Sequence, residues 1–211
     1  MLFRSVTAAL LAALFCAAPA AAQDHHHGAA APPAPGDTAR WTKADADFMS
    51  GMIGHHAQAI AMSRLAPTHG ASATVQNLAS RIINAQQDEI RTMQLWLRDR
   101  RQPVPEAVAG PMRMTMNGVE HEMLMPGMLT PAQMQELDAA RGRDFDRLFL
   151  TYMIQHHRGA VSMVQQLFSS WGAGQDETVF KFASDVNVDQ TTEIARMQRM
   201  LADLIFATPS P

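Results

Sequence analysis

Two adjacent histidines occur twice in this chain, each time behind a Met-Ile pair: Met52-Ile53-Gly54-His55-His56 and Met153-Ile154-Gln155-His156-His157. Imidazole with thioether suits Cu(I) or Ag(I), whereas imidazole with carboxylate suits Cu(II), Zn or Fe. On a helix, at about 100° per residue, Asp45, Met52 and His56 fall in one narrow stripe, and Asp146, Met153 and His157 in its counterpart. A second phrase also recurs: Gln86, Glu89, Ile90 and Met93 return as Gln190, Glu193, Ile194 and Met197. In it Glu89 shares a helix face with Met93, and Glu193 with Met197. Each half can thus offer aspartate, methionine, histidine, glutamate and methionine toward the axis of a bundle. His55 and His156 point about a quarter-turn away, either orienting the ligand histidine's surroundings or supplying a second ligand at a helix boundary. The competing reading is a buried network in which histidines and carboxylates satisfy one another. Two identical His-His pairs in the same Met-Ile context weigh toward metal. Met62, Met163, Met197 and Met200, taken singly, read more simply as core.

A separate cluster of soft ligands lies between the two halves. Asn117-Gly118 between alternating segments is the strongest short hairpin signal. With that pair as the turn, Met116 faces Val119, Met114 faces His121 and Met112 faces Met123. Strand alternation then puts Met112, Met114, Met116, His121, Met123 and Met125 on one face, with Arg113 and Glu122 paired on the other. That face suits Cu(I) or Ag(I). A hydrophobic strap closing a bundle needs the same alternation, with methionine as gap-filler. The histidine opposite Met114 favours metal.

The elements that must position these residues are helices. A first helix is predicted from Thr42, with Asp45 completing a capping box, to about residue 65, before Pro67 and Gly70. A second runs from near Ser72 to about 101, with Val75, Leu78, Ile82, Ile90, Met93 and Leu97 as its apolar stripe. Residues 102–129 carry four prolines and are not helical. Thr130-Pro131 opens a further helix with Gln133 as capping partner, and Gly142 marks a bend or break. Two more long helices follow, at about 144–170 and 176–206. The repeat makes this a duplicated helix hairpin. The predicted class is all-α, a ferritin-like antiparallel four-helix bundle over 42–207. Its halves, 42–101 and 130–207, are joined by the methionine-rich insertion 102–129.

The chain has 211 residues and a formal charge of −3, so nothing suggests nucleic acid as a partner. Residues 1–22 read as a cleavable signal peptide: Arg4, an apolar run over 6–18, then Ala20-Ala21-Ala22. The alternative is a membrane anchor. The sole cysteine, Cys16, lies inside this segment, so an exported chain would depend on thioether and imidazole for soft metals. Residues 23–41, rich in histidine, alanine and proline, are an expected disordered linker. Cleavage after Ala22 places His25 third from a free amine, a square of nitrogens suited to Cu(II). Cyclisation of Gln23 blocks that arrangement, and a solvated tail is the plainer reading.

The phrases Phe48-Met49-x-x-Met52-Ile53-x-His55-His56, Pro126-Gly127-Met128-Leu129 and Phe145-Asp146-Arg147-x-Phe149-Leu150-x-x-Met153-Ile154-x-His156-His157-x-Gly159-Ala160 resemble the "domain of unknown function 305" family, over about residues 45–200. The resemblance implies a ferritin-like four-helix bundle and a periplasmic or secreted copper-binding role, as in CopM-type proteins linked to copper resistance. It carries ligand candidacy to Met52, His55, His56, Met153, His156 and His157. The hairpin and the histidine tail are not part of it.

The function expected from these observations is binding, not catalysis. The cargo would be copper as Cu(I) or Cu(II), with silver as a further soft ion, buffered or passed to a copper export or delivery partner. A protein not embedded in a membrane is expected, as monomer or homodimer. The rival is a di-metal carboxylate oxidoreductase using Asp45, Glu89, Asp146, Glu193, His56 and His157. Against it, no glutamate stands three residues before any of the paired histidines. A metal-free adaptor bundle is the third reading.

Overall fold

The structure is a computed structural model describing residues 40–116 and 119–206, with the backbone alone described within 112–121. The predicted signal peptide, Cys16, most of the linker and His25 lie outside the described residues. The chain is mostly helical, in the order α1 (Lys43–Leu65), α2 (Ala73–Asp99), β1 (Met112–Met116), β2 (Val119–Met123), α3 (Pro131–Ala139), α4 (Gly142–Ser169) and α5 (Glu177–Phe206). α1 packs along α2 and α4 along α5, and the two pairs meet where α1 lies against α4.

The helix starts follow local chemistry. Thr42 and Asp45 form the predicted capping box, as do Thr130 and Gln133 with Pro131 in the first turn. Ser72 caps α2 by accepting from the Val75 N–H. Gly142 is a break between α3 and α4. Its φ of 56° suits glycine, and α4 starts there rather than at 144. The predicted stripe of α2 is buried throughout.

Apolar side chains gather in two clusters. α1 gives most of its residues from Ala46 to Ile53, and Ile60 farther on, to the first, while α4 gives it Ala160, Met163, Val164 and Leu167. The second takes Ala59, Met62 and Ala66 from α1 and residues from Phe145 to Ile154 from α4. The His-His pairs fall between these stretches on both helices. A polar layer is therefore held between two apolar cores, whose large side chains, such as Phe145 and Phe149 at 0% exposure, each contribute roughly 1.5–3 kcal/mol.

The predicted inward stripe needs a correction at its aspartates. Asp45 Oδ1 accepts from the backbone N–H of Gly174 at 2.7 Å, in the turn between α4 and α5. Asp146 accepts from Ser72 N–H at 3.1 and 3.2 Å, at the turn between α1 and α2. Each aspartate secures the turn of the other half instead of reaching the histidines. Eleven residues separate Asp45 from His56, about 16 Å along a helix, so a shared stripe is not a shared site.

Between the halves, residues 124–129 form a strap over the α1–α4 seam. Gln58 grips it twice, donating from Nε2 to the Leu129 carbonyl at 3.0 Å and accepting the Leu129 N–H at 2.7 Å. Gln155 Nε2 donates to the Gly127 carbonyl at 3.2 Å.

Candidate metal centre

The four paired histidines are all at 0% exposure. His55 and His156 meet across the seam with ring centroids 3.8 Å apart and planes tilted by 41°. His56 and His157 stand on either side, their centroids 6.4 and 6.3 Å from those of their chain neighbours. The residues expected a quarter-turn off the ligand stripe are thus the two at the centre of the layer.

Each outer histidine turns to the second helix of its own half. His157 Nε2 is 2.7 Å from Glu193 Oε2 and donates to it. His56 Nε2 is also 2.7 Å from Glu89 Oε2, at ion-pair distance without the alignment of a hydrogen bond. A carboxylate only accepts, so these contacts favour the proton on Nε2 and leave a lone pair on Nδ1. His55 Nε2 lies 2.9 Å from the Pro126 carbonyl oxygen and must donate there, with the same result.

Among the described residues, Nδ1 of His55 and His157 and both ring nitrogens of His56 and His156 have no hydrogen-bond partner. Gln86 and Gln190, each three residues before the glutamate of its repeat, are also buried with an unpartnered Oε1. Orphaned acceptors in a closed interior cost about 1–3 kcal/mol each, and a missing ion or water is one explanation of such groups. Here they come in matched pairs from the two halves.

Electrostatics keep the central rings neutral. His55 is pushed down to about 3 from the usual 6.5, first by burial, then by the proximity of His56, with the bond to Pro126 opposing and His157 adding slightly. His156 is lowered well below the usual value, first by burial and then by His55, His157 and His56. Neutral imidazole is the form that binds metal.

Thioethers flank this layer. Met52, Met93, Met153 and Met197 are all at 0% exposure. Met52 and Met93 belong to the first apolar cluster, Met153 and Met197 to the second. Met52 precedes His56 by one helical turn and Met93 follows Glu89 by one, as Met153 and Met197 do for His157 and Glu193. In each half a histidine–glutamate level thus adjoins a methionine level, a donor set suited to soft or borderline ions. Among the described residues no three His, Cys, Asp or Glu side chains converge as a metal cluster. Of the carboxylates named in the rival oxidoreductase reading, Asp45 and Asp146 bond turn N–H groups, while Glu89 and Glu193 lie beside His56 and His157.

The hairpin has the predicted register: Met112 opposite Met123, Arg113 opposite Glu122, Met114 opposite His121, Thr115 opposite Glu120 and Met116 opposite Val119. The side chains of Met112, Met114, Met116 and His121 lie outside the described residues. Met123 is exposed. Met125 departs from the expected strand face: β2 ends at Met123, and Met125 is half-buried against the first apolar cluster. Sequence reasoning missed Gln58 and the buried Met128, although Met128 stands in a phrase already singled out.

Comparison with known proteins gives this geometry a context. The sequence profile described as "Domain of unknown function (DUF305)" matches residues 45–201. The chain belongs to the DUF305 family. A presumed secreted DUF305 protein of Streptomyces coelicolor is 29% identical, with 80% of this chain and 98% of that one covered and a TM-score of 0.64. CopM in its Cu(I)-bound form is 27% identical, with 77% of this chain and 97% of that one covered and a TM-score of 0.57. CopM in its Cu(II)-bound form is 26% identical, with coverage of 75% and 96% and a TM-score of 0.58. No curated protein matches the sequence. Among the described residues of this DUF305 chain, no helix is long and apolar enough to cross a membrane.

Proposed function

We propose that this chain is an exported copper-binding protein, not an enzyme, that holds Cu(I) and Cu(II), and Ag(I) as a soft analogue, through histidine and methionine ligands. The observation that carries this reading is the layer of four buried histidines with unpartnered ring nitrogens. The solved copper-bound and silver-bound forms of CopM support it. The scaffold is a ferritin-like antiparallel four-helix bundle made from a duplicated hairpin. His55, His56, His156 and His157 supply imidazole, and Met52, Met93, Met153 and Met197 supply thioether. The hairpin methionines with His121, and the His25 tail, are outer capture sites. Behind a cleaved signal peptide the protein works in the periplasm or outside the cell, buffering copper or handing it to an export partner.

The test is an anaerobic Cu(I) competition titration of the mature protein against a strong chromophoric chelator. Retention of at least one equivalent, reduced when His55 and His156 are both replaced by alanine in a chain that still melts cooperatively, is the expected result. Retention of none overturns the reading.

A further inference from the structure

Beside the histidine layer a cavity of about 560 Å³ opens toward solvent. Gly54 and His55 line it from α1, Val108 from the loop after α2, and Met125 and Met128 from the strap. Glu106 stands in the same wall and adds a negative charge that draws cations in.

Three observations make this more than a gap under a loop. His55 is fully buried with an unpartnered Nδ1, yet it belongs to the cavity lining. The cavity therefore reaches the layer at His55. Gly54 sits in the middle of α1, where glycine costs roughly 0.8–1 kcal/mol relative to alanine. A Cβ there would meet only the Val108 carbonyl oxygen at 3.9 Å, so packing does not demand glycine. Its effect is to leave the floor beside His55 open. The third is the sulfur in the walls. Met128 is 5% exposed and Met125 half-buried, and both line the cavity. At about 30 Å³ per water, the space admits an ion with several of its solution ligands.

We propose that this cavity is the route by which the metal reaches the histidines: a soft monovalent cation exchanges its solution ligands for the thioethers of Met125 and Met128 and passes from them to His55. The exchange involves neutral donors, needs no redox step and leaves the charge on the ion unchanged. The proposal rests on the copper-binding reading above and adds the path.

Stopped-flow loading from an anaerobic Cu(I)–chelator complex, followed to its end point, separates the two claims. Gly54→Leu fills the floor, and Val108→Trp narrows the mouth from the loop without altering α1. Both are expected to load about tenfold more slowly than the unaltered protein and to reach the same equivalents. Where Gly54→Leu lowers the melting temperature, Val108→Trp carries the result. The double variant Met125→Leu, Met128→Leu keeps the volume and removes both sulfurs, and slower loading of Cu(I) and Ag(I) is expected. Unchanged loading rates in Val108→Trp and in the sulfur-free variant, with copper still retained at the end point, overturn the route and leave the binding reading intact. Absence of retained copper in the unaltered protein removes the binding reading, and the route with it.

Discussion

Pro126 and Gly159 occupy what would otherwise be the space of one side chain: a Cβ on Gly159 would lie 1.8 Å from the Pro126 carbonyl oxygen and 2.4 Å from its carbon. A Cβ on Gly127 would come 2.6 Å from the Gln155 carbonyl oxygen. The strap is therefore seated directly on the backbone of α4. The same Pro126 carbonyl receives the His55 Nε2 proton, so this close fit also helps to set which nitrogen of His55 is left for other partners.

The contact predicts opposite outcomes at two glycines. Gly159→Ala should unseat the strap and cost about 2 kcal/mol or more. Gly54→Ala, with only Val108 O at 3.9 Å, should be neutral or stabilising by up to about 1 kcal/mol. Thermal melts of the two variants side by side check this. Similar shifts in both would mean that the strap yields easily.

Asp45→Ala and Asp146→Ala should each cost about 1–2 kcal/mol, because each leaves a turn N–H without its acceptor and Asp45 also completes a capping box. Neither should change the number of Cu(I) equivalents retained. A loss of one equivalent in a variant that melts normally would return the aspartates to the ligand set.

Acid should destabilise the metal-free protein through its central histidines. Their pKa is depressed on folding, so the stability they contribute is complete above the ordinary value near 6.5. It is lost as pH falls from there toward the folded value, about 3 for His55. The loss is on the order of a few kcal/mol. Melting temperature measured between pH 7 and pH 4 should fall, and His55→Leu with His156→Leu should flatten the slope. A slope that survives the double replacement would place the acid sensitivity elsewhere.

Asp189 offers a test of opposite sign. Burial, then the carboxylates of Glu89, Asp185 and Glu193, raise its carboxyl above the usual range. A raised acid favours the fold at low pH, and that advantage disappears as pH rises through the folded value. At neutral pH its charge is a liability. Asp189→Asn should add a few tenths of a kcal/mol, a small gain because the site is largely open to solvent. Denaturant melts at pH 7 would show it, and a destabilised variant would argue against like-charge repulsion at this point.

Much of this architecture was legible in residue types. The capping boxes at Thr42 and Thr130, the stripe of α2 and the hairpin register follow from short-range rules that the structure obeys. The recurrence of Met-Ile-x-His-His marked the two stretches that meet in the buried histidine layer. What could not be read was which histidine meets which. Helical angles alone assign His56 and His157 to an inward stripe, but the α1–α4 contact decides that His55 and His156 touch. The strap was hidden for a similar reason. Gln58 grips Leu129 across a long stretch of chain, and no local pattern records such a pairing.

The exchange of turn contacts between the halves has an architectural consequence. Asp45 reaches the turn of the second hairpin and Asp146 that of the first, so residue and target change places as they do across an isologous dimer interface. His55 against His156 repeats that reciprocity at the centre. The two helix pairs therefore hold each other by exchanged contacts, and matched positions need not carry the same residue. Gly54 of α1 stands where the matching phrase of α4 has Gln155, and only the first leaves open space beside its histidine.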